Sequence, residues 1–465
     1  MKAETVIAGV LRKITPSVKE RRETEAVLER IRKATRDALK PLKLEYTLAG
    51  SFLRDTWLPD KKEFDIFILF PESVSRQDLE EKGLEIGKAI VRALGGSHEI
   101  AYAEHPYIRA DVDGYAVDFV PCYDIKEPGR IKSAVDRTPH HNRYILANLT
   151  GSLPSEVRLL KQFCKGIGVY GSDLCVEGFS GYLTELLVIK YGTFKNVLLS
   201  AAGWEAGSVF IDLGRHHKTK PDLRDAFPGQ PLVVIDPVDR KRNVAAALSP
   251  ANFEKFRARC ASFLKSPAPS YFSKKRTVMK PGEVSRLMKS RGTRMLAVVF
   301  ERPDVVDDVI YPQMRRSAKR LTGMMEDNDF RVLGSGVWCG DEECCILLEL
   351  EVWSLPSVRK VIGPPVFARK HSEEFMRKYS GSGRLCVVGD AWLAEVRRRY
   401  TDALELLQST VKSKKSTLRS IGVASYVADG LGRGVSVLSG NSITIMMKKE
   451  GFPAFLTEYF KNKVV

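Results

Sequence analysis

The sequence lacks several features that would place it in a membrane, secreted or zinc-stabilised class. No apolar run approaches the roughly 20 residues of a membrane-spanning helix, and the N-terminal residues lack the apolar core of a signal peptide. None of the eight cysteines forms a C-x-x-C pair, and Cys339 and Cys344 have no nearby histidine to complete a zinc site. Internal repeats and low-complexity tracts are also missing. We therefore expect a cytoplasmic protein with reduced, mostly buried thiols.

Acidic residues are too few to balance the basic ones. The chain has 74 Lys and Arg against 57 Asp and Glu, which gives a formal net charge of +17. Clustered cations bind polyanions well because they release counterions from phosphates, although excess charge also aids solubility alone. Its 465 residues, 44% of them hydrophobic, suffice for about three globular domains. The excess of basic over acidic residues indicates a nucleic-acid partner.

The residue pattern between positions 50 and 70 suggests phosphate chemistry. Glu63 and Asp65 stand two apart at the start of an aromatic, β-branched run that predicts a strand. Side chains at i and i+2 of a strand share a face, so the two carboxylates point the same way. Such a pair suits Mg²⁺, and the preceding turn at Gly50 and Ser51 offers amide groups and a hydroxyl to phosphate. The alternative is an edge strand with two solvated acids.

A third acid follows in a predicted hairpin. Strands at 107–112 and 115–120 flank Asp113 and Gly114, a sequence typical of a type I′ turn. Asp118 lies in the second, otherwise apolar strand. Alone it would be read as a residue at an exposed edge, but beside the two earlier acids it is the natural third ligand. Three carboxylates from neighbouring strands can hold two Mg²⁺ ions about 4 Å apart, the arrangement of nucleotidyl-transfer sites.

The rest of the chain predicts a multidomain α+β protein. A mainly helical region with one strand at 232–235 is followed by a Pro- and Ser-containing linker at 266–270. A later β-α-β order fits a ferredoxin-like or RNA-recognition-like domain without the aromatic base-stacking signature. We place domains at 1–148, 149–265 and 266–465. The basic residues around a helix at 400–411 are either a solvated face or a phosphate-contact surface.

The ordered motifs resemble a known family. Gly-Ser, Glu-x-Asp and the later strand aspartate resemble the polymerase-β-like nucleotidyltransferase superfamily. Within it, the sequence is similar to the archaeal (class I) CCA-adding enzymes, the tRNA nucleotidyltransferases, over roughly residues 43–320; the similarity decreases after residue 370. The segments that carry it further are 132–141, 156–161, 178–183, 236–245, 302–308 and 311–313.

The resemblance implies both an architecture and an activity. The architecture is a catalytic nucleotidyltransferase head, a helical central (neck) domain that recognises the base, and an αβ body with a basic tail that binds tRNA. The activity is template-independent addition of C, C and A to the tRNA 3′ end from CTP and ATP, with release of pyrophosphate, as part of tRNA processing and repair. It also implies two Mg²⁺ ions, contact with the acceptor/T-stem region of tRNA, and a homodimer.

The resemblance further assigns roles to individual residues. Glu63, Asp65 and Asp118 would be catalytic and hold both metal ions. Arg242 would read the incoming base, because a guanidinium can satisfy acceptor atoms on a base edge and keeps its proton; the alternative is an arginine paired with Asp236 or Asp239. The nucleotide-binding residues implied are Ser51, Arg54, Thr138, His141, Lys161, Tyr170 and Arg242.

Two other functions remain open from the sequence alone. One is a related nucleotidyltransferase, such as a poly(A)- or oligoadenylate-making enzyme or one that modifies a small molecule. The basic C-terminal half argues against a small-molecule acceptor. The other is a non-catalytic RNA-binding protein that kept the fold. The intact trio of acids argues against it, because crowded carboxylates benefit only a protein that binds cations.

Overall fold

The structure is a computed structural model that describes residues 2–102, 104–127, 130–217, 224–273 and 278–461. It divides into two compact units, residues 1–275 and 276–463. The multidomain α+β prediction is confirmed. The first unit contains both of the first two predicted domains, whose division at residue 148 stays a prediction. Within the described residues, no helix is both long and apolar enough to cross a membrane.

The N-terminal half of the first unit is built on a five-stranded sheet of order β1-β2-β5-β4-β3. Only β2 and β5 run parallel; the other neighbours are antiparallel. The predicted strand that begins at Glu63 and the predicted hairpin are confirmed. The elements are α1 (Ala3–Ile14), α2 (Val18–Leu39), β1 (Glu45–Ala49), α3 (Gly50–Leu53), β2 (Glu63–Phe70), α4 (Arg76–Leu94), β3 (Ser97–Tyr102), β4 (Pro106–Val112) and β5 (Tyr115–Tyr123).

The local signals explain why these elements form. Alternate residues of β2, among them Ile66 and Ile68, are fully buried against α2 and α4. Ser75 caps α4 by accepting a hydrogen bond from the amide of Asp78. The turn at Asp113 and Gly114 has positive φ at both residues, 53° and 76°, as a type I′ turn requires. The turn sets the β4–β5 register and so the face on which each side chain lies.

The remainder of the first unit is largely helical. Its core is rich in aromatic residues, and Phe163 lies near the centre of a cluster with Phe194, Phe263 and Phe272. Phe272 belongs to a 3₁₀ turn at Pro269–Phe272, so this core extends beyond the predicted linker. The elements are α5 (Arg137–Asn148), α6 (Leu153–Ile167), α7 (Gly181–Tyr191), α8 (Phe194–Ala202), β6 (Val209–Asp212), β7 (Leu232–Asp236), β8 (Asp239–Asn243) and α9 (Pro250–Lys265).

The expectation of a single strand in this region was wrong. The strand β7 lies between β6 and β8 in a three-stranded sheet. The pattern missed β8 because its sequence, Asp239–Asn243, is charged and lacks apolar alternation, with Arg240 and Lys241 exposed. It nevertheless forms a hairpin with β7, which is fully buried and supplies the apolar side chains that pack this pair of strands into the core. Arg242 is therefore a strand residue, which the sequence did not indicate.

The second unit carries a four-stranded antiparallel sheet of order β10-β11-β9-β15. The first strand lies in the middle, between β11 and β15, as in a split β-α-β domain, and the predicted β-α-β order is confirmed. A second sheet, β12-β14-β13, is inserted. The elements are α10 (Pro281–Arg291), β9 (Arg294–Glu301), α11 (Asp307–Asp327), β10 (Val332–Cys339), β11 (Glu343–Leu350), β12 (Val358–Pro365), α12 (Arg369–Tyr379), β13 (Arg384–Val388), β14 (Ala391–Arg397), α13 (Ala403–Val411), α14 (Lys415–Ser420), α15 (Ser425–Arg433), β15 (Val435–Ser439) and α16 (Phe452–Lys461).

The expectation of reduced cysteines was wrong for one pair. Cys339 and Cys344 are partners across the β10–β11 hairpin and are joined by a disulfide. Five residues apart in sequence, they become direct neighbours only because the hairpin reverses the chain between them. Among the free cysteines, Cys122, Cys164, Cys260 and Cys345 are buried as expected.

Candidate active site

Two parallel strands bring the three predicted acids to one place. In the register of β2 with β5, Asp65 is the direct partner of Asp118. Glu63 lies two residues before Asp65 on the same face of β2. The opposite face of β2 is buried in the sheet–helix core. The carboxylates therefore share one side of the sheet because the other side is committed to the core.

The crowding of these acids is visible in their electrostatics. Burial, together with the charges of Asp118 and Glu63, raises the pKa of Asp65 to about 6. Each outer acid has a cation beside it. The Lys61 ammonium lies 2.5 Å from a Glu63 oxygen, and Arg109 donates two hydrogen bonds to Asp118, each 2.9 Å long. The repulsion from the two outer carboxylates thus appears in the raised pKa of the central one.

The residue types at this place fit a divalent cation. Carboxylate oxygens are the ligands that Mg²⁺ prefers, and a cation among them would remove the repulsion that raises the Asp65 pKa. Within the described part of the chain, no three His, Cys, Asp or Glu side chains are already arranged as a closed ligand set. The outer acids point to Lys61 and Arg109 instead. A bound ion would have to compete with those two partners.

A glycine turn lies against the central acid. Gly50 adopts φ +83°, and a Cβ there would lie 2.0 Å from Oδ2 of Asp65. Only glycine allows this backbone to approach the carboxylate so closely and to take this φ without strain. Ser51 follows in the four-residue helix α3. The turn therefore presents the chain directly beside the acid cluster, where the sequence predicted a phosphate contact.

A second cluster forms around Glu185, a residue that the sequence analysis missed. Arg54 Nε donates to Glu185 Oε1 at 3.1 Å, and Thr56 Oγ1 donates to the same oxygen at 2.7 Å. The Lys161 ammonium donates to Thr56 Oγ1 at 2.9 Å and lies 3.6 Å from Glu185 Oε1. Two predicted phosphate-binding cations, Arg54 and Lys161, are thus brought together. The sequence feature that could have pointed to Glu185 is that it is a lone acid within the apolar run of α7.

The Tyr170 hydroxyl lies close to the cluster around Glu185. A Cβ at Gly181 would lie 3.2 Å from that hydroxyl and 3.7 Å from the Lys161 ammonium, so both groups flank Gly181 at the start of α7. Burial raises the pKa of Tyr170, and the phenol stays protonated at neutral pH. It can donate a hydrogen bond to an anionic ligand.

A third cluster surrounds Asp236 and contains two more predicted residues. His141 Nε2 lies 2.7 Å from Asp236 Oδ2, and Arg242 Nη1 donates to the same oxygen at 2.7 Å. Tyr182 donates to Oδ1 at 3.2 Å and stacks on the His141 ring. Burial would raise the pKa of Asp236, but these partners lower it. Arg242 is therefore paired with Asp236, as the alternative reading anticipated, and Thr138 lies one turn before His141 on α5.

The side chain of Arg242 is still one-third exposed and lines a cavity of about 1310 Å³. Arg137 and Asp239, which pair at 3.0 Å, lie on the same wall. The cavity is larger than a typical small-ligand pocket of about 300–1000 Å³, so it has room for a nucleotide together with part of a polymer. Arg242 can thus contact a ligand while its other side is held by Asp236.

The chain matches three family models in sequence order. A nucleotidyltransferase domain matches residues 28–141, and the second domain of tRNA nucleotidyltransferase matches residues 155–273. The C-terminal domain of CCA-adding enzyme matches residues 291–440. The acid cluster lies within the first match, and the Asp236 cluster lies across the first two.

Curated relatives align over nearly the whole chain. A CCA-adding enzyme of Methanosarcina acetivorans is 37% identical over 98% of this chain and 98% of its own. One from Methanothermobacter thermautotrophicus is 40% identical over 84% of each chain. Among solved structures, the Cid1 poly(U) polymerase covers 58% of this chain and 97% of its own, with 16% identity and a TM-score of 0.47.

Proposed function

Since this chain belongs to the family of CCA-adding enzymes, we propose that Glu63, Asp65 and Asp118 form the catalytic centre with which it adds C, C and A to tRNA. The supporting observation is the parallel register that pairs Asp65 with Asp118. It places three carboxylates on one side of the sheet, next to the turn at Gly50. Carboxylates able to hold divalent ions, beside a turn whose amide groups could contact phosphate, suit nucleotidyl transfer.

The three acids would hold Mg²⁺, and we propose two ions. Bound there, the ions would lower the pKa of the tRNA 3′-hydroxyl and neutralise the triphosphate and the leaving pyrophosphate. Asp65 would be the central ligand, and the family resemblance implies that Asp118 would be the ligand nearest the attacking hydroxyl. The protein's own contribution is to hold these carboxylates on two hydrogen-bonded strands. The attack is in line at the α-phosphorus of CTP or ATP and needs no covalent enzyme intermediate.

The triphosphate would be bound by the turn and by the cluster around Glu185. Arg54 and Lys161 supply positive charge, and Ser51, Thr138 and Tyr170 supply hydroxyl donors. The geometry supports this assignment because Arg54 follows the turn in sequence and the Tyr170 hydroxyl flanks the same glycine as Lys161. Lys161 is nearly fully buried, so its ammonium is held in one position.

The base would be read at Arg242. Addition without a template requires the protein to distinguish C and A from G and U, and a guanidinium offers fixed donors to the acceptor atoms of a base edge. Asp236 holds Nη1 of Arg242, and His141 and Tyr182 hold Asp236. A guanidinium oriented from one side presents its remaining donors in one direction, which is what selection between bases requires.

The decisive experiment compares acid variants in an incorporation assay. A tRNA lacking its terminal CCA is incubated with CTP and ATP, and products are resolved on a sequencing gel. We expect Asp65→Asn and Asp118→Asn to abolish incorporation while tRNA affinity, measured by fluorescence anisotropy, stays within a few fold. Asp37→Asn, an exposed acid on α2, is the matched control and should behave as wild type. Wild-type activity in Asp65→Asn would remove the metal-site assignment.

The same assay separates the alternative activity. We expect the wild type to add C, C and A and then to stop. A long run of A residues, or failure to use CTP, would instead identify a poly(A)-type enzyme. tRNA binding without incorporation under any divalent ion would identify a non-catalytic RNA-binding protein.

Further proposals concern the partner and the assembly. We propose that the head (1–148) and neck (149–265) carry the chemistry and that the body (266–465) binds the acceptor/T-stem region of tRNA. We also propose that the enzyme is cytoplasmic and forms a homodimer. The net charge of +17 supports a polyanionic partner. In the basic stretch near 396–419, Arg398 pairs with Asp329 and Arg419 with Asp429. Light scattering on the purified protein tests the dimer.

A further inference from the structure

A single buried carboxylate connects the two cations assigned to the triphosphate. Glu185 is fully buried in α7, and its Oε1 receives hydrogen bonds from Arg54 and Thr56 and lies near Lys161. Its Oε2 has no hydrogen-bond partner among the described residues. The three contacts join the loop after α3, helix α6 and helix α7. All of the polar contacts therefore converge on one oxygen of one side chain.

A buried carboxylate is costly unless cations compensate it. Burial alone would raise the pKa of Glu185, yet Arg54 and Lys161 lower it, so the group is ionised. The effect is reciprocal. Burial, assisted by the charges of Arg54 and Lys61, lowers the pKa of Lys161 to about 8, and Glu185 opposes this shift. Without Glu185, two cations would face each other in a buried site and the weaker one would lose its proton.

We propose that Glu185 is a positioning residue that keeps Lys161 charged beside Arg54 and so maintains the triphosphate-binding site. This inference depends on the proposed role of Arg54 and Lys161 in binding the triphosphate. Glu185 itself does not touch the nucleotide. Its contribution is the fixed negative charge that allows two cations to stay together away from water, ready to meet a ligand of opposite sign.

The test is the pH dependence of nucleotide binding in Glu185→Gln, which keeps the shape of the side chain but removes its charge. In the wild type, the affinity for CTP and ATP should fall as pH rises through the Lys161 pKa of about 8. In Glu185→Gln this fall should move to lower pH. At a pH above both pKa values the KM should be about tenfold higher than in the wild type for each unit by which the pKa is lowered, with a smaller change in kcat.

Matched variants make the result specific. Glu185→Asp should restore part of the wild-type profile. Glu156→Gln removes another partly buried acid, which caps the amide of Phe194 instead, and should leave the profile unchanged. If Glu185→Gln fails to fold, Thr56→Val serves in its place, because Thr56 links Lys161 to Glu185, and a smaller shift of the same sign is expected.

The outcomes separate this inference from the proposed function. A wild-type pH profile in folded Glu185→Gln or Thr56→Val, together with a raised KM in Lys161→Met, would overturn the role of Glu185 and leave the triphosphate site intact. An unchanged KM in both Lys161→Met and Arg54→Met would overturn the triphosphate site itself. A downward shift in Glu185→Gln together with a raised KM in Lys161→Met supports both.

Discussion

Arg109 holds Asp118 through two parallel hydrogen bonds of 2.9 Å, one to each carboxylate oxygen. The two residues are direct partners across the β4–β5 hairpin, so the hairpin turn places Arg109 beside Asp118, while the parallel pairing of β5 with β2 places Asp65 on its other side. The hydrogen bonds to Asp118 raise the pKa of Arg109. The carboxylate that we propose as a ligand of a divalent ion is thus also bound by a guanidinium.

Replacing this arginine should ease metal binding. In Arg109→Gln the ion no longer competes with a guanidinium, so the Mg²⁺ concentration for half-maximal activity should fall. An exposed ion pair is worth about 1 kcal/mol or less, which corresponds to at most about fivefold. Mn²⁺ binding followed by electron paramagnetic resonance should show the same change without substrate. Arg92→Gln, an exposed arginine on α4, is the control; equal Mn²⁺ affinity in all three proteins would contradict the competition.

The contact between Gly50 and Asp65 predicts a second effect. In Gly50→Ala the new methyl group would overlap Oδ2 of Asp65, in addition to the unfavourable φ of +83°. Gly95→Ala has a similar φ, +70°, but nothing within 4 Å of its Cβ. Gly95→Ala is the control. It should lose only about 1–2 kcal/mol of stability from its unfavourable backbone conformation and keep its activity. Gly50→Ala should lose incorporation as well, as thermal denaturation and the gel assay would show. Equal activity in both variants would rule out this contact.

Arg242 allows a test of base selection. Arg242→Ala should reduce discrimination among the four nucleotides more than it weakens tRNA binding, because its guanidinium is held at the cavity by Asp236. Arg240→Ala removes the same charge from an exposed position on β8 that lines the same cavity, and it serves as the control for the loss of charge alone. The measurement is the ratio of kcat/KM for CTP to that for UTP. A ratio in Arg242→Ala equal to that of Arg240→Ala would exclude the reading role.

The cluster of three acids could be predicted because most of its determinants are local. Glu63 and Asp65 are two residues apart, and the positive-φ turn at Asp113 and Gly114 fixes the strand that carries Asp118. Period-two alternation and turn chemistry both act within a few residues, so a single sequence contains them. The parallel pairing of β2 with β5 involves distant segments; the sequence predicted that the two strands are neighbours, because their acids suit one metal site, but not that they run parallel.

The polar clusters could not be predicted in the same way. Arg54 and Glu185 are 131 positions apart, and His141 and Asp236 are 95 apart. Neither pair leaves a periodic pattern, since each depends on how helices pack around the sheet. A charged strand such as β8 is likewise stabilised by its partner β7 rather than by its own residues. A lone acid in an apolar helix was the one available signal.

The pairing of His141 with Asp236 leads to a prediction about acid stability. Burial lowers the pKa of His141; Asp236 opposes this effect, whereas Arg242 and Arg54 reinforce it. The folded protein therefore binds fewer protons at this ring than the unfolded chain does, in the window between the lowered pKa and about 6.5. In that window stability rises with pH, and it falls as the medium is acidified.

His141→Gln should therefore lose less stability than the wild type on acidification from about pH 7 to about pH 5. The neutral amide keeps a donor for Asp236 but has no proton to gain. Melting temperatures across this range measure the slope, and His98→Gln, at an exposed position on β3, is the control. We expect a shallower curve for His141→Gln than for the wild type and the control. Parallel curves for all three would mean that His141 titrates alike in the folded and unfolded chains, and its burial against Asp236 would then not hold it neutral.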